Sequence, residues 1–149
     1  MTARNAAAFV SSVLTLVACG GAGASAPAPT SDRHVCDVSF VTPDGFERMD
    51  TFEEPYPNRV GVRVAFQDET GRELHAFAGI PGEFGEGLPD AGTVRLANGG
   101  IGRLSGGVHE VWVLSWEEGG VCDPRVVLGN GFDRGGFLEL LRLAGLVNA

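Results

Sequence analysis

The chain has 149 residues and a mass of 15.5 kDa, a length typical of one domain. Its 11 basic residues, all arginine, stand against 19 acidic residues, and the formal net charge is −8. This balance excludes nucleic acid as an expected partner, because no cluster of cations is present to displace counterions from phosphates. An apolar fraction of 44% is enough for a hydrophobic core and argues against disorder over the whole chain.

The first 18 residues have the pattern of an export signal. One positive charge, at Arg4, precedes an apolar segment of 13 residues that runs from Ala6 to Ala18. This segment is shorter than the ~20 residues that span a bilayer, but it has the length of a secretory core region. Sites of the A-x-A type at residues 22–24 and 24–26 keep ordinary signal cleavage open as an alternative, and an uncleaved anchor is a further one.

The motif Leu16-Val17-Ala18-Cys19 resembles the lipobox of bacterial lipoproteins. The resemblance implies that the Cys19 sulfur carries a diacylglyceryl group and that a signal peptidase cuts before this residue. Two or more acyl chains anchor a protein firmly, since each buried CH₂ contributes roughly 0.8 kcal/mol. Gly20 follows the cysteine, which by the family's sorting rule favours the outer membrane in a cell with two membranes. The expected location is therefore the cell membrane or the outer membrane, with the domain on the extracytoplasmic side.

Three segments follow from this organisation. They are a signal peptide (1–18), a lipidated cysteine with a flexible tether (19–33), and one folded domain (34–149). The tether consists mostly of small residues, with prolines at 27 and 29, and a flexible chain of this length reaches roughly 20 Å. The chain after residue 18 keeps ten arginines and all 19 acidic residues, a net charge of −9. An anionic membrane surface is therefore expected to repel the domain.

The domain is predicted to be α+β, with an antiparallel sheet of about five to seven strands and one C-terminal helix packed on it. Alternating apolar residues predict strands at 36–40, 60–66 and 74–80, and the last two are joined by a hairpin turn. Residues 47–59 are polar and interrupted by prolines, and they are predicted to form a loop.

The second half of the domain begins with a glycine-rich loop, residues 81–92, and short strands are predicted at 93–96 and 101–104. Residues 108–116 have the strongest strand pattern. They are apolar on both faces, which predicts a central strand with both faces covered. A further strand is predicted at 121–128, where Pro124 requires an edge or a bulge.

The predicted helix begins after Asp133, whose side chain can accept from the free N–H groups of the first turn. Glu139 and Arg142 are three residues apart and are expected to pair on its outer side. One apolar stripe has helical spacing and is expected to close the core: Phe137, Leu140, Leu141 and Ala144.

Cys36 and Cys122 form an even pair once Cys19 is assigned to lipid. An oxidising compartment makes a disulfide between them the expected state. The long loop that it closes corresponds to roughly 4–5 kcal/mol in the chain-entropy model. Two buried thiols are the alternative. Neither cysteine has a second cysteine or a histidine at ligand spacing, so no metal and no cofactor is expected.

From Val94 to Val147 the order of strands, glycine turns and helix resembles an exported C-terminal domain of unknown function. Such domains occur in some bacterial lipoproteins and in some membrane proteins that resemble anti-sigma factors. The likeness transfers no functional residue, and it departs at Cys122, where an aromatic residue is more usual. It is carried by Leu114-Ser115-Trp116-Glu117-Glu118-Gly119, Val126-Val127-Leu128-Gly129 and Leu138-Glu139-Leu140-Leu141-Arg142-Leu143-Ala144.

Gly129-x-Gly131, between a predicted strand and a predicted helix, matches the first two glycines of a dinucleotide-binding turn. Arg134 stands where the third glycine belongs, so a tight turn before a capped helix is the better interpretation. Trp112 and Trp116 fit a core better than a ligand platform.

Other residues that can carry chemistry lack the spacing that chemistry needs. The histidines at 34, 75 and 109 are scattered, with the last two expected in strands, and Ser105 does not lie in a nucleophile elbow. The acidic residues at 83, 86 and 90 do not have the spacing of a calcium loop. Acid pairs at 53–54, 68–69 and 117–118 fit solvated turns better than acid/base catalysis, which needs a shielded cleft.

These patterns predict a membrane-anchored binding or interaction module that is not an enzyme. Its expected partners are the membrane, through the lipid, and another envelope protein. A carrier of a small molecule or lipid in a cleft between sheet and helix is the alternative. A hydrolase of envelope polymers is a third hypothesis, and it would require Glu or His groups that converge in a cleft.

Overall fold

The computed structural model describes residues 33–38 and 40–148, and in this part of the chain it consists of eight strands and one helix. The predicted α+β class with a single C-terminal helix is confirmed. The strand count is one above the predicted upper bound. The elements in chain order are β1 (His34–Val35), β2 (Phe46–Pro55), β3 (Arg59–Asp68), β4 (Glu73–Ala78), β5 (Asp90–Arg95), β6 (Ile101–Val108), β7 (Val111–Trp116), β8 (Arg125–Asn130) and α1 (Arg134–Leu143).

The sheet has the order β1-β3-β4-β8-β7-β6-β5, and β2 pairs with β3 outside this path. Every pairing is antiparallel except that of β1 with β3, which is parallel and covers only two residue pairs. The chain leaves β4, builds β5, β6 and β7 as consecutive antiparallel neighbours, and returns in β8 between β4 and β7. This return joins the two halves of the sheet.

One face of the sheet carries the hydrophobic core. The predicted alternation in β3 is confirmed, because Val60, Val62, Val64 and Phe66 are all buried. The stripe on α1 packs against this face, and the side chains of Phe137 and Leu141 are fully buried. Burial of a large apolar side chain contributes about 1.5–3 kcal/mol, so this contact is a principal stabilising feature of the fold.

The helix begins where the sequence predicts it. The Asp133 carboxylate caps α1 and accepts a hydrogen bond of 2.6 Å from the backbone N–H of Gly136. Arg142 donates through Nε to Glu139 at 2.7 Å. A Cβ on Gly129 would lie 2.6 Å from the Phe137 ring, so the absence of a side chain there lets the helix approach the sheet. The first glycine of the Gly-x-Gly pair therefore has a packing role.

The prediction of a loop at 47–59 is wrong, because β2 spans most of it. Nine residues of β2 pair with β3 along its free side, while almost all β2 side chains remain exposed. Backbone hydrogen bonds along an edge strand do not require apolar side chains, so the period-2 signal is absent. Charged side chains, a register shift between Arg48 and Asp50, and Pro55 at the end protect this edge against pairing with other chains.

Two other strand predictions are displaced. The strand expected at 36–40 is only β1 at 34–35, and the structure shows no regular element at 36–38 or at 40. The strand expected from 121 begins at Arg125, after a cis peptide bond between Asp123 and Pro124. The proline thus precedes the strand instead of sitting in an edge or bulge.

The second face of the sheet is covered in part by the glycine-rich loop that precedes β5. The Phe84 ring of this loop lies 4.6 Å from the Phe77 ring, centroid to centroid. A Cβ on Gly85 would lie 3.5 Å from Val113, which is buried. The expectation that both faces of β7 are covered is therefore confirmed at Val113.

Candidate functional site

The N-terminal segment of the domain crosses the core face of the sheet and forms one wall of the candidate site. We call this segment the strap (residues 36–38 and 40). The Phe40 ring lies 5.4 Å from the Phe66 ring, and the backbone N–H of Cys36 donates to the carbonyl of Val60 at 2.9 Å. The strap thus packs on β3 and its neighbours without belonging to the sheet.

A disulfide joins the strap to the loop between β7 and β8. The sulfur atoms of Cys36 and Cys122 are 2.10 Å apart, and their Cα atoms are 5.5 Å apart. Both residues are buried. A Cβ on Gly79 would lie 2.6 Å from the Cys36 sulfur, so this position has room only for glycine.

A groove lies between the strap and the residues that follow α1. We call it the Trp116 groove. Its inner part is a cavity of about 50 Å³, and an outer depression of about 190 Å³ continues it past Trp116 and Leu146. The residues that matter for its chemistry are Val38, Phe40, Trp116, Glu118, Arg125 and Leu146, with Leu96 and Asn98 at the outer rim.

The two tryptophans occupy different environments. Trp112 is buried, and its indole N–H donates to the carbonyl of Phe132 at 3.1 Å. Trp116 is only half-buried, lines the groove, and donates to the Glu118 carboxylate at 3.2 Å. The prediction of a core role holds for Trp112, whereas Trp116 presents part of its ring to the groove.

Arg125 connects the walls of the groove. Its Nη1 donates to the carbonyl oxygen of Asp37 in the strap at 2.6 Å, and its Nη2 lies 3.4 Å from the Glu118 carboxylate. The side chain is 18% exposed, so this ion pair is partly shielded from water. Its Nε is buried and has no hydrogen-bond partner within the described part of the chain.

The loop that carries Glu118 is held by a carboxylate beneath it. Asp123 accepts hydrogen bonds from the backbone N–H groups of Glu118, Gly119 and Gly120, at 3.0, 2.7 and 3.0 Å. Burial on its own raises the pKa of Asp123, but these bonds and the charge of Arg125 outweigh it and hold the pKa below its ordinary value. Asp123 is therefore a charged positioning group for one side of the groove.

No family model, no curated protein and no solved structure matches the chain. The chemistry of the groove is therefore taken from its own residues.

Cys19 and the rest of the predicted lipobox lie outside the described residues, as does most of the predicted tether. No helix in the described part of the chain is long and apolar enough to cross a membrane. Within residues 33–38 and 40–148, no three His, Cys, Asp or Glu side chains come together as metal ligands would.

The structure keeps the three histidines apart. His34 is exposed in β1, and His75 in β4 has its Nε2 3.6 Å from the Glu73 carboxylate. His109 was expected in a strand but lies in the turn between β6 and β7, with a positive φ of 52°. Ser105 lies in β6, beneath the loop at Gly85. These residues do not form one site.

The acidic groups of the glycine-rich loop are also dispersed. Glu83 and Glu86 are exposed, whereas Asp90 accepts from the Gly92 N–H at 2.9 Å and pairs with Arg103 at 3.1 Å. The Gly92 N–H and the charge of Arg103 lower the pKa of Asp90. A depression of about 380 Å³ beside this loop is lined mainly by polar groups and glycine.

The sequence did not reveal the groove, for a physical reason. Its strap wall has no regular secondary structure, and contacts between residues 37 and 125 depend on the long-range fold. One signal was present. Trp116 is the last apolar residue on the core face of β7, so it lies at the end of the strand, where Leu146, which follows α1, also lines the groove.

Proposed function

We propose that this chain is a lipid-anchored lipoprotein of the bacterial envelope, and that its domain acts as a non-enzymatic binding module through the Trp116 groove. The observation that carries the binding role is the half-buried Trp116 ring in an apolar groove that the Glu118–Arg125 ion pair also lines. Aromatic side chains with a polar tip are typical anchors at binding surfaces.

The size of the groove favours a protein segment as the ligand. Small-molecule sites commonly have volumes of roughly 300–1,000 Å³. The inner cavity, about 50 Å³, has room for one short apolar group. Burial of one such group contributes about 1.5–3 kcal/mol, which gives only millimolar binding or weaker without further contacts. A partner must therefore also contact the rim, and an extended protein segment can do so.

The carrier alternative has less support. It required an apolar cavity beneath α1, and the side chains there, Phe137 and Leu141, are fully buried against the sheet. A carried ligand would have to use the groove beside the helix. The hydrolase hypothesis also has less support, because it needs converging acid or base groups, and those named above lie on separate elements of the described chain.

The anchor is supported by the sequence alone. The lipobox ends at Cys19, and the domain that follows the tether carries a large excess of acidic residues. Replacement of Cys19 by Ser should release the protein from washed membranes into the soluble fraction. If the variant stays in the membrane fraction as strongly as the parent, the anchor lies elsewhere.

The binding role is tested with a photo-crosslinking amino acid in place of Asn98, at the outer rim of the groove. In intact cells it should give a discrete adduct with an envelope protein, and the substitution Trp116→Ala should abolish that adduct. The matched control places the same amino acid at Thr70, an exposed turn at the other end of β3. Adducts of equal yield and pattern at both positions, or none at Asn98, would contradict a binding role for the groove.

A further inference from the structure

The chain begins its folded part beside the Trp116 groove. β1 pairs with β3 at Arg59 and Val60, and the register of the sheet places this end of β3 next to Ala78, Arg125 and Trp116. The carbonyl of Asp37 accepts from Arg125, a residue of the groove. The 32 residues before Arg33 therefore join the domain at the end of the sheet where the groove lies.

Most of the tether is uncharged, and it contains two prolines. Residues 20–31 carry no charged side chain, and Pro27 and Pro29 are separated by Ala28 alone. Alternating proline and alanine favour an extended polyproline II conformation, which has little entropy to lose on binding. Grooves lined by aromatic side chains are the usual sites for such segments.

We propose that residues 26–29 of this chain, Ala-Pro-Ala-Pro, dock in its own Trp116 groove and compete there with the external partner. The inner cavity of about 50 Å³ accepts a group of the size of a proline ring, between Phe40 and Trp116. The outer depression of about 190 Å³ takes the neighbouring residues. The five residue-to-residue steps from Pro29 to His34 span at most roughly 17 Å, and the strap wall of the groove starts at Cys36, directly after β1.

The docked tether has a consequence for position. The free tether reaches roughly 20 Å, and docking of its middle part leaves only residues 19–25 to separate the lipid from the domain. The domain is then held close to the bilayer with its groove filled. A partner that displaces the prolines occupies the Trp116 groove and also lets the domain move away from the bilayer. Partner binding is therefore coupled to the distance between the domain and the membrane. This regulatory consequence, unlike the docking itself, depends on the proposed anchor and binding role.

The experiment uses acrylamide quenching of tryptophan fluorescence in the full chain, purified in detergent. Because Trp112 is buried, the quenchable signal belongs to Trp116, and Trp116→Phe verifies this assignment. The double variant Pro27→Ser/Pro29→Ser should show stronger quenching and a red-shifted emission relative to the parent. The matched control, Ala22→Ser/Ala24→Ser, changes the tether to the same extent outside the docking segment and should behave as the parent does.

Equal quenching in the parent and the proline variant would overturn the proposal. A second outcome would also overturn it: stronger quenching in Cys19→Ser with no effect of the prolines would assign the groove to an acyl chain. The crosslink at Asn98 separates this inference from the proposed function. If the groove binds a partner but not the tether, the parent and the Pro27→Ser/Pro29→Ser variant give the adduct at equal yield. If the tether competes with the partner, the proline variant gives the higher yield.

Discussion

The Arg125 guanidinium donates a hydrogen bond of 2.6 Å to the carbonyl oxygen of Asp37, 88 residues earlier in the chain. This contact joins the first β8 residue to the strap. Together with the disulfide one residue before Asp37, it holds the strap against the sheet end and fixes one wall of the groove.

Replacement of Arg125 by Met keeps much of the apolar stem but removes the donor to Asp37 and the charge partner of Glu118. We expect a loss of about 1–3 kcal/mol in the free energy of unfolding, because a hydrogen bond with a charged, largely buried donor is removed. Urea denaturation measures it. The control Arg103→Met removes a pair whose Arg103 side chain is 67% exposed, and it should change stability by less than about 0.5 kcal/mol. Equal losses in both variants would show that burial of Arg125 is irrelevant.

Loss of the disulfide should destabilise the domain strongly. The bond links residues 86 positions apart, and removal of a native disulfide from a small secreted domain costs about 2–5 kcal/mol. The double variant Cys36→Ala/Cys122→Ala should therefore unfold at a lower urea concentration than the parent. Dithiothreitol should shift the parent toward the variant and leave the variant itself unchanged. A parent midpoint that does not respond to full reduction would contradict this prediction.

Stability should fall at acidic pH through Asp68. This carboxylate is 5% exposed and accepts bonds from the backbone N–H groups of Thr70 and Arg72 and from both side chains. Burial raises its pKa, but these bonds dominate and lower it from 3.8 to about 2. Between these two pH values the unfolded chain binds more protons than the folded one, so the stability contributed by Asp68 is complete only well above pH 3.8 and is lost as the pH falls through 3.8 toward 2.

The variant Asp68→Asn tests this assignment. Its free energy of unfolding should be lower than that of the parent at neutral pH, and the difference should shrink as the pH falls from 4 toward 2. Urea titrations at a series of pH values measure the two curves. If the free energies of unfolding of parent and variant fall in parallel over this range, another group causes the loss of stability at acidic pH.

Two glycines near α1 should respond to alanine with opposite signs. Gly129→Ala places a Cβ 2.6 Å from the Phe137 ring, and such overpacking costs about 1–3 kcal/mol. Gly135→Ala, within the helix, meets only the Asp133 carboxylate at 3.6 Å and should stabilise the domain by about 0.4–1 kcal/mol, because alanine restricts the unfolded chain. Thermal unfolding distinguishes the two. A neutral Gly129→Ala would argue that this glycine is kept for a reason other than packing.

The parts of the fold that the sequence predicted are those with a strong local period. The alternation in β3 and the stripe on α1 each reflect one buried face, and that face determines which residues are apolar. β2 was missed because its pairing to β3 uses the backbone while its side chains remain exposed. Residues 36–40 have the pattern of a strand because Val38 and Phe40 pack against the core, although the described structure pairs no strand with them.

The candidate site was harder to predict than the fold. Trp112 and Trp116 lie on the same face of β7, and the sequence separates them only by the position of Trp116 at the end of the strand. Coverage depends on where α1 ends relative to the sheet, and on a strap that comes from the other end of the chain. These are long-range relations, so the sequence alone does not assign Arg125 and Glu118 to a groove.

The disulfide also determines how the domain responds to mechanical load. When the N-terminal segment is pulled against the C-terminus, the force acts first on β1, which is held to β3 by only two residue pairs. The next residue along the chain that resists it is Cys36. From there the covalent path runs through the sulfur atoms to Cys122, so the backbone of residues 37–121 lies inside a closed loop and is not stretched. Six of the eight strands are within that loop, and only β1, β8 and α1 remain in the line of force. A pull on the N-terminal segment therefore leaves the backbone of most strands unstretched.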